Sequence, residues 1–380
     1  MLRRLLPLRA ASAATLAFAL VGISAPVTHA GQPKAQTSAD EATELTQIAS
    51  AYLQKRADSV TAAGAQRRVL SAPADVTRTL AAELEDDFAA LADEGRLLRE
   101  VNGGYTRAEV DVKPGQTNIE GAIATLEVTE DTRLYYPNVE EGDPQYEEYS
   151  LPHTLTFKRS TDGNWLLAGD RAEVDPAGPA PTTQLTEPID EPAPDSEDEG
   201  AKEPAAEPGP ATGTGAGAKV DATYNYSKMV AYANKHWKNT NSDYRVYGND
   251  CTNFISQAMR AGGWKTTSGS FSTRKDNKKW FYASHTWTTS YTWAGAENWY
   301  WFASKHSKRT KMLNNVWKMQ SADVLQADWK RDGIIDHTMI VTKKSKGEIY
   351  LTYHTPSVQN KKLSTILAKY PRAAWYAHAT

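Results

Sequence analysis

A 43-residue stretch, 176–218, constrains this 380-residue chain more than any other feature. It holds nine prolines, nine acidic residues and one lysine, and it ends in ATGTGAGA. It has no apolar periodicity, and like charges along it repel. Such a segment is expected to be an extended linker that buries no core. The chain is therefore expected to fold as two separate bodies, 31–175 and 219–380.

Charge divides along the same line. Residues 31–175 carry 14 Lys+Arg against 27 Asp+Glu, a net of -13. Residues 219–380 carry 25 against 10, a net of +15, and they hold ten of the 11 tryptophans. The overall charge of -3 conceals this split. Two outcomes are open. The bodies are independent beads, or the acidic one docks on the basic one and restricts its access to anionic substrate.

The N-terminus reads as an export signal: a basic start (Arg3, Arg4, Arg9), an uncharged apolar run over 10–25, and a small-residue site ending at Ala30. Residues 1–30 are thus expected to be removed and the protein to be secreted, extracellular or attached to the cell wall. No other run is apolar enough to span a bilayer, so no stable membrane insertion is expected. A monomer is expected. One cysteine excludes an internal disulfide framework and a cysteine-clustered zinc site.

In 31–175, Leu45, Ile48, Ala49, Tyr52 and Leu53 repeat at helical spacing, as do Leu80, Leu84, Phe88 and Leu91. Alternation and turns follow from Tyr105, with strands expected near 105–112, 121–135, 149–158 and 164–172. Helices followed by a curved antiparallel sheet resemble the nuclear-transport-factor-2-like cone. His153, the one histidine of this body, is expected to be a surface strand residue.

The lone cysteine opens the run Asp250-Cys251-Thr-Asn-Phe-Ile-Ser-Gln-Ala-Met-Arg-Ala-Gly-Gly263. Phe254, Ile255 and Ala258 lie at i+3, i+4 and i+7 from it. Cys251 is therefore expected on the first turn of a core-packed helix, with Asp250 at the N-cap. Free N–H groups and the positive dipole end there favour a thiolate, the nucleophilic form. A cysteine nucleophile needs a base. His337 opens the β-branched run HTMIVT, and His354 closes the next run, EIYLTYH, after the turn Lys346-Gly347. The two histidines are expected at one end of a hairpin. Asp328 to Asp336 echoes part of a calcium loop, but Lys330 stands at a ligand position. It is read as a turn whose aspartates cap the loop, with no metal and no cofactor. The aromatic run 280–302 supplies core, and Trp287 and Trp293 are candidates for a substrate wall.

The motifs DCTNFISQ, AGG, DVLQ, Asp328, DGIIDHTMIVT and His354-Thr355 resemble the bacterial putative amidase domain family, a papain-like group related to the CHAP amidohydrolase/peptidases. The resemblance covers about 222–378. It implies an α+β protein with a papain-like C-terminal domain, a cysteine-bearing helix packed on an antiparallel sheet. It also implies amide or peptide hydrolysis, with Cys251 as nucleophile, His337 as base and His354 as third member, with Asp336 and Asn360 open as alternatives to His354. Peptidoglycan or another anionic cell-wall polymer fits the +15 balance. No base-reading motif marks a nucleic-acid partner. The rival expectation is a non-catalytic surface-binding protein whose papain-like domain is degenerate.

Overall fold

The computed structural model describes residues 34–66, 73–101, 103–173, 224–285 and 288–380. The expected export signal, the whole of the expected linker and Trp287 lie outside the described residues.

The N-terminal segment starts with helices α1 (Lys34–Ser59), α2 (Ala62–Gln66) and α3 (Arg78–Val101). Strands β1 (Arg107–Glu120), β2 (Ile123–Tyr135), β3 (Tyr146–Arg159) and β4 (Trp165–Ala172) follow as an antiparallel meander. The helical stripes read from the sequence form the core. Leu45, Ala49, Tyr52 and Leu53 of α1 and Leu84, Phe88 and Leu91 of α3 pack on Leu126, Leu155, Phe157 and Trp165.

After the undescribed residues come α4 (Tyr226–His236) and α5 (Cys251–Ala261). Two short helices, α6 (Tyr291–Ala294) and α7 (Ala296–Tyr300), precede the strands. Those strands are β5 (Lys311–Met312), β6 (Val324–Asp328), β7 (His337–Ser345), β8 (Glu348–Tyr353), β9 (Ser357–Lys362) and β10 (Ala374–Ala379). Helix α8 (Leu363–Lys369) stands between the last two. The architecture is α+β, mixed helix and antiparallel sheet.

The two segments are not separate beads. Strand β3 pairs with β9 through Glu148–Gln359, Tyr149–Val358 and Ser150–Ser357, so one ten-stranded sheet runs through both. A shared core joins Leu98, Tyr105, Leu134, Tyr136, Tyr149 and Leu151 to Tyr353, Val358, Leu363, Ile366 and Tyr370. Among the described residues the cross-segment ion pairs have one polarity, with lysine from the basic segment and carboxylate from the acidic one. Lys361 meets Glu147 at 3.0 Å with both side chains buried, Lys369 meets Glu94 at 2.9 Å, and Lys238 meets Asp131 and Glu148 at 2.9 and 3.1 Å. Lys346 pairs with Glu140 at the rim. The charge split legible in the sequence is thus the docking chemistry.

His153 corrects an expectation. It is not on the surface but 2% exposed. Its Nδ1 meets Asp170 at 2.7 Å and its Nε2 meets Glu130 at 2.9 Å. Burial alone would lower its pKa, but the hydrogen bonds and charges of the two carboxylates outweigh that and raise it to about 9. The sign follows directly. The imidazolium's contribution to stability is complete below the unfolded histidine value of ~6.5 and is lost as pH rises through about 9. A falling urea midpoint between pH 7 and 10, abolished in His153→Gln, is the expected result. A midpoint with the same pH dependence in both chains would contradict it.

Candidate active site

Helix α5 is held on both flanks. Its apolar face, Phe254, Ile255, Ala258 and Met259, packs among Trp264, Trp280, Trp293 and Trp299. Its end is closed by Gly262, whose N–H donates to the Ala258 carbonyl. A Cβ at Gly262 would stand 2.2 Å from Met229 Cγ of α4, so any side chain there would force the Met229 side chain to move. On the sheet side the Thr252 hydroxyl meets the Thr338 hydroxyl of β7 at 2.9 Å.

Cys251 is the first residue of α5, as the periodicity predicts. Asp250 holds the N-cap position, but its side chain does not cap the helix. Its Oδ1 accepts from the Tyr247 N–H at 2.9 Å and from Asn253 Nδ2 at 2.8 Å. Its Oδ2 meets His354 Nδ1 at 2.7 Å. The Asp250 N–H donates to the Thr355 hydroxyl at 2.9 Å. Thr355 sits at φ 63°, a conformation costly for a β-branched residue, so the His354-Thr355 pair is bound to the loop before Cys251 under local strain.

His354 lies against α5, its ring stacked on Phe254 at a centroid distance of 4.0 Å. Its Nε2 meets the backbone carbonyl of His236, the last residue of α4, at 3.0 Å. Both of its partners are acceptors. The two bonds are satisfied together only when both ring nitrogens carry hydrogen.

His337 is elsewhere. Side chains alternate along β7, and no register shift interrupts its first five residues. Ile340 and Thr338 face α5, whereas Met339 and Val341 face the core shared with the N-terminal segment. His337 has the parity of Met339. Its ring packs edge-on against Tyr353 at 5.0 Å and beside Trp329 at 5.9 Å. It is fully buried, and neither ring nitrogen has a hydrogen-bond partner. Burial pulls its pKa down to about 3, so the imidazole is neutral near pH 7. The expected pairing of His337 with the thiol is not formed.

The thiol itself is 2% exposed and donates to Asn249 Oδ1 at 3.2 Å, with the Thr252 hydroxyl at 3.6 Å. Burial pushes its pKa up to about 11, against the opposing pull of the Thr252 hydroxyl and the Thr338 and Thr252 backbone N–H groups. The sequence pointed to a thiolate. Helix-terminal donors are present, but desolvation exceeds them. Iodoacetamide alkylation of the intact chain is therefore expected to be slow at pH 7 and to rise about tenfold per pH unit toward pH 11. A rate that levels off near pH 7 would show a preformed thiolate instead.

The aromatic candidates divide. Trp287 lies outside the described residues. Trp293 is fully buried, stacked on Trp280 at 4.7 Å, and its Nε1 donates to Asn253 Oδ1 at 2.7 Å. It is a core residue that braces α5 and presents no face to a groove. The loop before His337 behaves as the turn expected. Asp328 accepts from the Asp332 and Gly333 N–H groups and Asp336 from the Trp329 N–H, so these carboxylates close the turn.

Two features escaped the sequence reading. Asp250 is the partner of His354, for which its position directly beside Cys251 was the available signal. Arg245 carried no signal. Its guanidinium donates to the Tyr247 hydroxyl, the Thr289 hydroxyl and the Ala283 carbonyl, and its own carbonyl accepts from Asn253. It fastens the loop before Cys251 to the aromatic insertion.

Comparison with known proteins bears on the segment that carries this site. The chain is 31% identical over 130 residues to the uncharacterized protein YhbB of Bacillus subtilis (strain 168), covering 34% of this chain and 40% of that protein. It is 27% identical over 154 residues to the uncharacterized protein YjcM of the same organism, covering 38% and 34%. These matches therefore span less than half of either relative. The Kfla4162 protein from Kribbella flavida is similar at 19% identity with a TM-score of 0.22, over 37% of this chain and 91% of that one. Residues 223–377, which contain Cys251, His337 and His354, match the family model described as "Putative amidase domain", and this supports placing that segment in the amidase-domain family.

Proposed function

We propose that this is an exported cysteine-dependent amidase or peptidase that hydrolyses amide bonds, with cell-wall peptides as the substrate class its basic segment favours. One observation carries the reading: a single cysteine opens α5 beside a carboxylate–imidazole pair, Asp250–His354, in the segment matching the amidase domain. In the reaction Cys251 Sγ bonds to the amide carbonyl carbon while its proton passes to an imidazole. The tetrahedral oxyanion is met by the Cys251 backbone N–H at the helix start. The imidazolium protonates the leaving amine, and a water molecule activated by the same ring releases the acyl group.

His354 is the imidazole on the Cys251 side of the sheet, oriented by Asp250. To act as base, His354 first releases the Nε2 hydrogen to water and turns Nε2 from the His236 carbonyl, keeping the Nδ1 hydrogen on Asp250; the bare Nε2 then accepts the thiol proton. A second assignment, His337, has its own support. The Thr338 N–H reaches toward the thiol, so the first residues of β7 adjoin it, and the two unpartnered nitrogens of His337 are a cost that turning toward Cys251 would relieve. The buried thiol favours a different class, a non-catalytic surface-binding protein. The mature chain incubated with purified cell walls and with peptide amides, read by mass spectrometry for new amines, separates these. New amines that vanish in Cys251→Ser support the amidase. Tight wall binding without any release supports the rival.

A further inference from the structure

The C-terminal end of α4 lies between the junction of the two segments and the imidazole of the candidate site. On one side the carbonyl of His236, the last residue of α4, meets His354 Nε2 at 3.0 Å. Two residues on, Lys238 Nζ meets Asp131 of β2 at 2.9 Å and Glu148 of β3 at 3.1 Å. In the last turn of α4, Asn234 Oδ1 accepts from Gln359 Nε2 at 3.0 Å, and Gln359 is the register partner of Glu148 in the β3–β9 pairing. The run 234–238 is thus fastened to the N-terminal segment and to the seam of the sheet, and it presents a carbonyl to His354.

That carbonyl has a chemical consequence. It can only accept, so it retains a hydrogen on Nε2. Asp250 retains the other at Nδ1, at 2.7 Å. An imidazole with hydrogen on both nitrogens takes no proton from Cys251 Sγ. Whatever holds the His236 carbonyl in place therefore keeps the base out of use.

The Lys238 contact can open while the shared core stays closed. The Lys238 side chain is 23% exposed, whereas Lys361 and Glu147 of the core pair are buried. Lys238 lines a cleft of about 330 Å³ whose other charged groups, besides Asp131 and Glu148, are Glu109, Asp111, Lys113 and Arg133. Lys113 also pairs with Asp131, and Arg133 with Glu148 at 3.4 Å. Both carboxylates keep a cation when Lys238 leaves, so its departure strands no buried charge.

We propose that Lys238 is a positioning residue and the movable part of a latch. Held by Asp131 and Glu148 of the N-terminal segment, it keeps the His236 carbonyl on His354 Nε2, and its release frees His354 to take the thiol proton. This rests on His354 as the base of the amidase reading above and adds the regulation of that site.

Thiol chemistry tests it without a substrate. The intact chain is alkylated with iodoacetamide at pH 7.0. Once His354 has lost its Nε2 hydrogen to water, the Cys251 proton passes to Nε2, Sγ bonds to the methylene carbon and iodide leaves. Lys238→Gln is expected to speed this about tenfold, through a tenfold larger thiolate fraction. Lys238→Arg, which keeps the positive charge, should stay near the parent rate. Adding His354→Gln to Lys238→Gln should abolish the gain. Lys346→Gln, which breaks another cross-segment pair at the β7–β8 turn, should leave the rate unchanged. A Lys238→Gln chain that reacts at the parent rate overturns the latch and leaves the amidase reading to its own test. A gain that survives His354→Gln, or that Lys346→Gln reproduces, also overturns it, because general loosening then exposes the thiol. A His354-dependent gain in a chain that releases no amines from cell walls upholds the latch while counting against the amidase reading.

Discussion

A Cys251→Ser chain is expected to fold as the parent does and to lose hydrolysis by a factor of about 10³ or more, because a serine hydroxyl is far less acidic than a thiol in a site lacking a strong base. The substitution is nearly isosteric. The hydrogen bond to Asn249 Oδ1 can be kept by the hydroxyl, so thermal unfolding should be unchanged. The informative companions are His354→Ala and His337→Ala. If His354 serves the thiol, its loss lowers kcat far more than it raises KM, and Asp250→Asn reproduces much of the effect by removing the acceptor at Nδ1. His337→Ala would then act through packing alone, since its ring fills space against Tyr353 and Trp329. The reverse ranking, a silent His354→Ala beside a dead but well-folded His337→Ala, would transfer the acid–base role to β7. Wild-type turnover in Cys251→Ser on any authentic substrate defeats both assignments.

The second large effect is on stability. Lys361→Ala leaves Glu147, which is 0% exposed, without its counter-ion in the core between the two segments. Breaking a buried ion pair from one side costs about 3–5 kcal/mol. One donor remains to Glu147, the Tyr105 hydroxyl at 2.6 Å, because the Tyr136 hydroxyl gives its single hydrogen to the Asn360 carbonyl at 2.6 Å, and the expected loss stays within that range. Replacing both members, Lys361→Met with Glu147→Leu, should recover most of it, because no uncompensated charge is then buried. Urea unfolding of the three chains gives the answer. An unchanged midpoint in Lys361→Ala would mean that the two segments do not share a core in solution. The same contact explains why residues 219–380 alone should be poorly soluble. Removing the N-terminal segment uncovers Tyr353, Val358 and Ile366 and a β9 edge without its β3 partner.

Much of this molecule was legible in one dimension because its signals are local. The spacing of Phe254, Ile255 and Ala258 placed Cys251 at the first residue of a helix, since a 3.6-residue period identifies a buried face without knowledge of what covers it. The stripes through Leu45–Leu53 and Leu80–Leu91 marked α1 and α3 for the same reason, and alternation located β2 to β4. The turn at Asp328–Asp336 was readable because its carboxylates bond to backbone within the turn. The charge division into -13 and +15 halves was visible by counting, and it is expressed in the lysine–carboxylate contacts between the segments.

What the sequence could not decide depends on which face of the sheet a residue points to and how deeply it lies. His337 and His354 were both assigned to one end of a hairpin, but a strand turns successive side chains to opposite faces. Only the packing of α5 on Thr338 and Ile340 shows that His337 points away from the thiol. His153 looked like a surface residue because nothing local reveals Glu130 and Asp170 arriving from neighbouring strands. Trp293 looked like a substrate wall because density of aromatics is the same signal for a groove and for a core. The thiol's rise to about 11 is the clearest case. Helix position, which the sequence determines, argues for a thiolate, whereas burial, which only the tertiary structure decides, removes the water that would stabilise one.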